Sequence, residues 1–227
     1  MAWVKADMHL HAKEDVTNTF IKYSAKELID LAAVNGFKVL SFTFHDQLYY
    51  DEKIIDYAAK KGILLIPGTE ATIQGKHVLI YNANREELRN MKNFNDLRSM
   101  KRQRKDILVV APHPFTPLKT SMNGSYQKYS DVFDALECVH LYTKLFDVNR
   151  KAWMVSRREG KPFVANSDLH FKQLFGSHYT LIKIEGDITA NKVLNSIKKG
   201  NIRIQTTPLK PLKALKAVSM NLINKEF

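Results

Sequence analysis

The sequence predicts an α/β fold in which strands and helices alternate, with parallel strands wrapped as a TIM-like barrel in preference to an open sheet. Three observations predict it. Strand-like and helix-like segments alternate along most of the 227 residues, the pattern of successive βα units. Several of the eight histidines close strand-like runs: His45 after residues 38–44, His113 after 107–112 and His170 after 163–168. Functional side chains at the ends of many different strands point to a barrel mouth. No GxGxxG follows the first strand and no GxxxxGK[ST] occurs, which disfavours a dinucleotide-binding sheet and a P-loop.

Residues 4–11 read as the first strand. Ser24-Ala25-Lys26-Glu27 fits a capping box, with Ser24 at the N-cap and Glu27 reaching back from N3. The helix it opens stops at Asn35-Gly36. Residues 37–44 form a mostly apolar strand ending at His45-Asp46. Residues 52–61 form a helix closed by Gly62. Residues 63–67 are a buried strand that delivers Gly68-Thr69-Glu70 at its end, and residues 76–81 a strand carrying His77. Residues 85–105 are helical in whole or in part. A strand at 107–111 delivers Pro112-His113-Pro114, whose two prolines fix the backbone. Residues 116–130 read as a loop or lid over the site. A strand at 135–139 ends at His140, a helix follows at 147–159, and a strand at 162–165 leads into Asn166-Ser167-Asp168-Leu169-His170. Residues 189–199 and 202–206 complete the alternation. One barrel domain covers residues 1–207; residues 208–227 are a tail or short closing helix.

At 44% hydrophobic, the chain can bury the core of one barrel-sized domain. Its single cysteine, Cys138, rules out an internal disulfide framework and a Cys-based zinc site. No apolar run is long enough to span a bilayer, and the N-terminus lacks a signal-peptide layout, so a cytoplasmic protein without a membrane partner is expected. The net charge of +12 favours anionic partners: phosphorylated metabolites, nucleic acid or acidic lipid. The excess concentrates in residues 85–105, where a solvated helix face is the plainer explanation.

The chemistry starts at Asp7-Met8-His9-Leu10-His11. On a strand, His9 and His11 point to one side and could share an ion, with Asp7 on that side too. An isolated HxH is weak. The weight comes from the ensemble of His9, His11, His45, Glu70, His77, His113, Asp168 and His170, a nitrogen and oxygen donor set that suits Zn, Mn or Fe. Glu70, after a buried strand, needs a partner for its carboxylate.

In this order the motifs resemble those of the PHP (polymerase and histidinol phosphatase) superfamily of metal-dependent phosphoesterases. Asp7-Met8-His9-Leu10-His11 is similar to its opening D-x-H-x-H, Thr43-Phe44-His45-Asp46 to its T-D-H, and Gly68-Thr69-Glu70 to its G-x-E. His77, His113-Pro114, Ser167-Asp168-Leu169-His170 and Gly176-Ser177-His178-Tyr179-Thr180 resemble later motifs. The resemblance covers residues 7 to about 180. It implies a distorted (β/α)7 barrel with two or three divalent ions, Zn, Mn or Fe, at its mouth. His9, His11, Glu70 and Asp168 would bind one; Glu70 would bridge to a second held by His77 and His113; a third would use His45, His170 and an acid after the first motif, Glu14 or Asp15, with Asp15 preferred. Phe44 departs from the pattern, replacing the usual Asp, and Asp46 is the candidate to offset it. His140 departs too, standing where many relatives have a polar residue.

The function implied is hydrolysis of a phosphomonoester or phosphodiester. Clustered ions acidify water and neutralise developing phosphoryl charge. Besides Glu70 and Asp168, His140 or His178 is expected to protonate the leaving group, Asp7 and Asp46 to orient ligand side chains, and Lys119, Lys144 or Arg150 to clamp the anionic substrate. Two other readings compete: a non-catalytic nucleic-acid-binding domain that keeps the barrel, and an amidohydrolase-type C–N hydrolase, which a carboxylated lysine would favour.

Overall fold

The computed structural model describes residues 1–140 and 142–209. Among the described residues, ten strands form two five-stranded sheets. The first sheet has the order β10 (Ile202–Gln205), β9 (Tyr179–Ile184), β1 (Ala2–Leu10), β2 (Phe37–Phe42), β3 (Leu64–Leu65). The second runs β4 (Gly68–Ile73), β5 (Lys76–Tyr81), β6 (Leu108–Ala111), β7 (Ala135–Cys138), β8 (Phe163–Ala165). The helices are α1 (Ala25–Val34), α2 (Glu52–Lys60), α3 (Arg85–Asn90), α4 (Phe94–Gln103), α5 (Tyr126–Tyr129), α6 (Arg150–Glu159) and α7 (Ala190–Lys198). No helix among the described residues is long and apolar enough to cross a membrane.

Local chemistry sets most boundaries. Ser24 and Glu27 form the expected capping box on α1. The run at 85–105 divides because Asn84 and Asn93 each cap a helix of their own, again with capping boxes; such a cap contributes about 1 kcal/mol. Glycine at position 160 adopts φ 64 and ends α6. The expected loop at 116–130 includes α5 and a flanking 3-10 turn. Past Leu209, the expected tail lies outside the described residues.

Two expectations are corrected. The strands do not close one parallel ladder: β4, β5 and β6 pair antiparallel, as do β9 with β1 and β10 with β9. Glu70 does not end the strand expected at 63–67. That strand shortens to Leu64–Leu65, and Glu70 sits inside β4, which turns into β5 through Gln74-Gly75 at φ 50 and 75, the two left-handed residues a tight hairpin needs. β9 has no counterpart among the expected elements.

The sheets meet at two seams, and these position the site. At one, Glu70 N donates to Phe44 O (3.2 Å) and Asp46 N to Glu70 O (3.0 Å). At the other, Met8 N donates to Asn166 Oδ1 (2.9 Å) and Leu169 N to His9 O (3.3 Å). Below them, Met8, Val39, Leu79, Tyr81, Val110 and Val164 pack from both sheets into one core. Each such side chain contributes roughly 1.5–3 kcal/mol on full burial. Tyr81 satisfies its hydroxyl by donating to Met8 O at 2.8 Å. Phe44 is wholly buried against Phe42 and Tyr49, so the departure from the T-D-H pattern fills core rather than touching the site.

Candidate metal centre

β1 ends by placing His9 and His11 with ring centroids 5.2 Å apart. β4 brings Glu70 from the other sheet, and the turn after β8 brings Asp168. His9 Nε2 lies 3.2 Å from Glu70 Oε2 and 3.3 Å from Asp168 Oδ1; His11 Nε2 lies 3.4 and 3.6 Å from the same two oxygens. One donor atom from each of the four falls within 4.8 Å of the others. The second carboxylate oxygen of Glu70 faces His77 Nδ1 at 2.8 Å and His113 Nε2 at 3.2 Å, while His45 Nε2 stands 3.2 Å from Oε2. A single buried carboxylate thus touches five imidazoles. Asp168 and His113 hold φ at 44 and 31, sparsely populated backbone that costs of order 1–3 kcal/mol and that concentrates at functional sites.

These residues fit a divalent ion. Nε2 of His11 is buried with no hydrogen-bond partner, aimed at two carboxylates. Burial works against charged groups here, yet Asp168, Glu137 and Glu70 raise His9 well above the usual imidazole range. His11, likewise opposed by burial, is raised to about 10 by Asp15, Asp168 and Glu70. Against the same burial, the surrounding imidazoles hold Glu70 and Asp168 well below the usual carboxylate range. The site is built to receive positive charge, which bound cations would supply in place of protons. A cleft of about 410 Å³ opens over it, lined by His45, His77, His113, His170, Asn18 and Phe20 among others.

A PHP-associated family profile matches residues 147–202, the stretch that carries Asp168 and His170. A candidate metal-dependent phosphoesterase from Bifidobacterium adolescentis superposes with a TM-score of 0.54 at 12% identity, over 74% of this chain and 88% of that one. Over residues 147–202 the chain is similar to the PHP-associated family. PsfC from Pseudomonas syringae matches the fold with a TM-score of 0.64 at 15% identity, over 99% of both chains. An amidohydrolase from Chromobacterium violaceum, with bound sulfate and no metal, matches with a TM-score of 0.57 at 13% identity, over 87% of this chain and 97% of that one. No curated protein matches the sequence significantly.

Of the two acids that follow the first motif, Asp15 is the one beside the histidines. Asp15 Oδ2 lies 2.8 Å from His11 Nδ1 and 3.0 Å from His45 Nδ1, whereas Glu14 accepts from Ala25 N at the start of α1. His170 stacks on His11 at 4.5 Å and places Nδ1 3.4 Å from Asp168 Oδ1. Asp7 touches no cleft: it accepts from Ser167 N and Oγ and from His9 N, tying β1 to the turn that bears Asp168. Burial pushes Asp7 up to about 7.

Other expected roles do not survive the geometry. The Asp46 carboxylate accepts from Thr72 N rather than from a ligand side chain among the described residues. His140 and His178 are buried and do not line the cleft. Burial lowers them to about 4 and about 3, His178 also by the neighbouring His140. Neither is placed to protonate a leaving group. Lys119, Lys144 and Arg150 are exposed and none of them lines the cleft, although Leu118 and Thr120 on either side of Lys119 do.

The sequence reading missed the supporting shell. Glu137, in β7, lies 3.0 Å from His9 Nδ1 and accepts from Asn166 Nδ2 at 2.8 Å. Ser121 lies 3.1 Å from His113 Nδ1. An acid inside the wholly buried run of β7 was the available signal, because a buried carboxylate demands a partner.

Proposed function

We propose that this PHP domain is a metal-dependent phosphoester hydrolase acting on a phosphomonoester or phosphodiester in the cytoplasm. The observation that carries the reading is the carboxylate of Glu70, shared between His9, His11 and Asp168 on one side and His77 and His113 on the other. Zn, Mn or Fe would suit these donors. Divalent ions held there supply Lewis acidity, drawing charge off phosphoryl oxygens and acidifying water.

The chain's own residues do the rest. Glu70 sets the spacing of the two donor groups. Glu137 fixes His9, and Ser121 fixes His113, so each ring keeps one nitrogen for the cleft. Phe20 and Leu118 give the cleft an apolar rim, and Lys119 offers a cation to an anionic substrate. We read the two sheets as halves of a distorted (β/α)7 barrel opened at the seams.

The C–N hydrolase reading loses support because no lysine lines the cleft among the described residues. For the nucleic-acid reading, three of the eight basic residues in the run are ion-paired internally: Arg98 with Asp131, Lys101 with Asp134, Arg104 with Glu87 and Asp106. Arg85, Arg89 and Lys92 instead line a separate cavity of about 550 Å³ beside Asp46, which leaves an oligonucleotide open as the phosphodiester.

Elemental analysis combined with turnover of p-nitrophenyl phosphate, its bis ester and an amide panel tests the proposal. Bound metal with ester turnover, lost in Asp168→Ala, is the expected result. Protein that cannot be loaded, or that cleaves only amides, would overturn it.

A further inference from the structure

The third donor group differs from the other two. Asp15, His11 and His45 bring ligand atoms within 4.8 Å of one another, but a side chain already stands among them. The amide nitrogen of Asn18 lies 2.9 Å from Asp15 Oδ2, 3.2 Å from His45 Nδ1, 3.4 Å from His170 Nε2 and 3.5 Å from His11 Nδ1. It reaches a candidate ligand atom on each residue that the third ion was expected to use.

The chemistry of that contact is competitive. An amide nitrogen carries two donor hydrogens and no accepting lone pair. Nδ1 of His11 and Nδ1 of His45 already donate to Asp15 Oδ2, so the two amide hydrogens go to Asp15 Oδ2 and to His170 Nε2, whose single lone pair cannot serve an N–H and an ion together. The amide presents positive hydrogens to a carboxylate, the electrostatic part a cation would otherwise play. With the oxygen of Asn18 turned inward instead, two acceptors would face each other beside Asp15, so the hydrogen-bond network assigns the nitrogen to this position.

Asn18 is also held in place from its backbone. Asp15 Oδ1 accepts from Thr17 N at 3.1 Å and Thr17 Oγ1 at 2.7 Å, folding the loop back on itself. Asn18 N donates to Asp15 O at 3.1 Å and Ile21 N to Asn18 O at 3.0 Å. The residue is buried. At the group of Glu70, His9, His11 and Asp168, by contrast, His11 Nε2 is buried without a hydrogen-bond partner among the described residues.

We propose that Asn18 fills the third metal position with its own amide and limits this PHP domain to a two-ion centre. The inference rests on the metal-dependent reading above and adds the number of ions to it. His45, His170 and Asp15 then act as a hydrogen-bonded wall behind the centre rather than as a third binding site.

The test is metal stoichiometry. Metal-free wild-type chain is equilibrated with Mn(II), freed of excess by gel filtration, and its metal content measured. About two ions per chain are expected. Asn18→Ala, which removes the amide, and Asn18→Asp, which puts a carboxylate in its place at nearly the same size, should each rise to about three. Three ions in the wild type, or variants that hold the same number as the wild type, overturns the proposal. A second reading needs no variant: in zinc-loaded wild type, the side-chain amide of Asn18, assigned by triple-resonance NMR, should exchange slowly with solvent. Fast exchange means the amide has swung out, and the proposal fails. Wild type that takes up no ion at all is a different result, since it overturns the metal-dependent reading itself.

Discussion

Glu137 lies 3.0 Å from Nδ1 of His9, and both side chains are buried. The contact leaves His9 Nε2 facing Glu70 and Asp168, and it determines which ring nitrogen is available to an ion. Glu137→Gln keeps the shape and removes the charge. Loss of such an outer carboxylate typically costs about 10–100-fold in metal affinity. Competition with a chelator of known affinity should show that loss, with the thermal midpoint of the metal-free protein nearly unchanged.

Asp168 contacts both His9 and His11 from a strained turn. Asp168→Asn should abolish ester turnover and release metal together. If turnover falls while full metal content persists, Asp168 acts on substrate and not as a ligand. Elemental analysis of the variant decides between them.

Removing the metal should loosen the native protein. Ligand at about 100 times its dissociation constant stabilises the folded state by about 2.7 kcal/mol. Chelation should therefore lower the thermal midpoint, and Mn(II) or Zn(II) should restore it. Scanning calorimetry before and after chelation checks this.

Gly68 marks where the second sheet starts against the first. A Cβ there would stand 2.3 Å from Ser41 Oγ and 3.0 Å from Tyr81 Cδ1. Gly68→Ala should destabilise by about 1–3 kcal/mol, the usual cost of overpacking. Urea unfolding measures it, and an unchanged midpoint would show that the seam can spread.

The buried pair His140 and His178 predicts acid sensitivity. Both are held below the ordinary imidazole value of 6.5, at about 4 and about 3. The unfolded chain therefore takes up protons that the folded chain refuses, and stability falls as pH drops from 6.5 towards 4. Above 6.5 this contribution is flat. His178→Asn should flatten the slope between those limits relative to wild type, as followed by denaturant titrations at several pH values.

Much of the centre was legible because strands expose a period of two. His9 and His11 fall on one side by that rule alone, and the sequence motifs around Glu70, His113 and Asp168 did the rest. The antiparallel middle of the second sheet was not legible: Pro67 reads as a strand end, and Gln74-Gly75 lacks the usual asparagine of a tight hairpin. β9 was hidden for a related reason, since Gly176 to Thr180 drew attention as a motif while residues 179–184 alternate quietly between buried and half-buried. His140 and His178 misled because a histidine at or near a strand end says nothing about which way its ring turns. Asn18 carried no signal at all. An asparagine in a polar loop is ordinary until the fold brings it against three histidines and an aspartate.

The break between the sheets also has a mechanical side. His9 lies on β1 and His11 and His45 follow β1 and β2 of one plate, while Glu70 and His77 lie on strands of the other and His113 and Asp168 follow its β6 and β8; single backbone bridges, Leu10 with Leu169 and His45 with Glu70, join the plates at this level. A cation seated there would work as a rivet through the two plates, added to the core and the seam hydrogen bonds that already join them. Loading and unloading it would then be felt well beyond the cleft, as stiffening or slackening of one half of the molecule against the other.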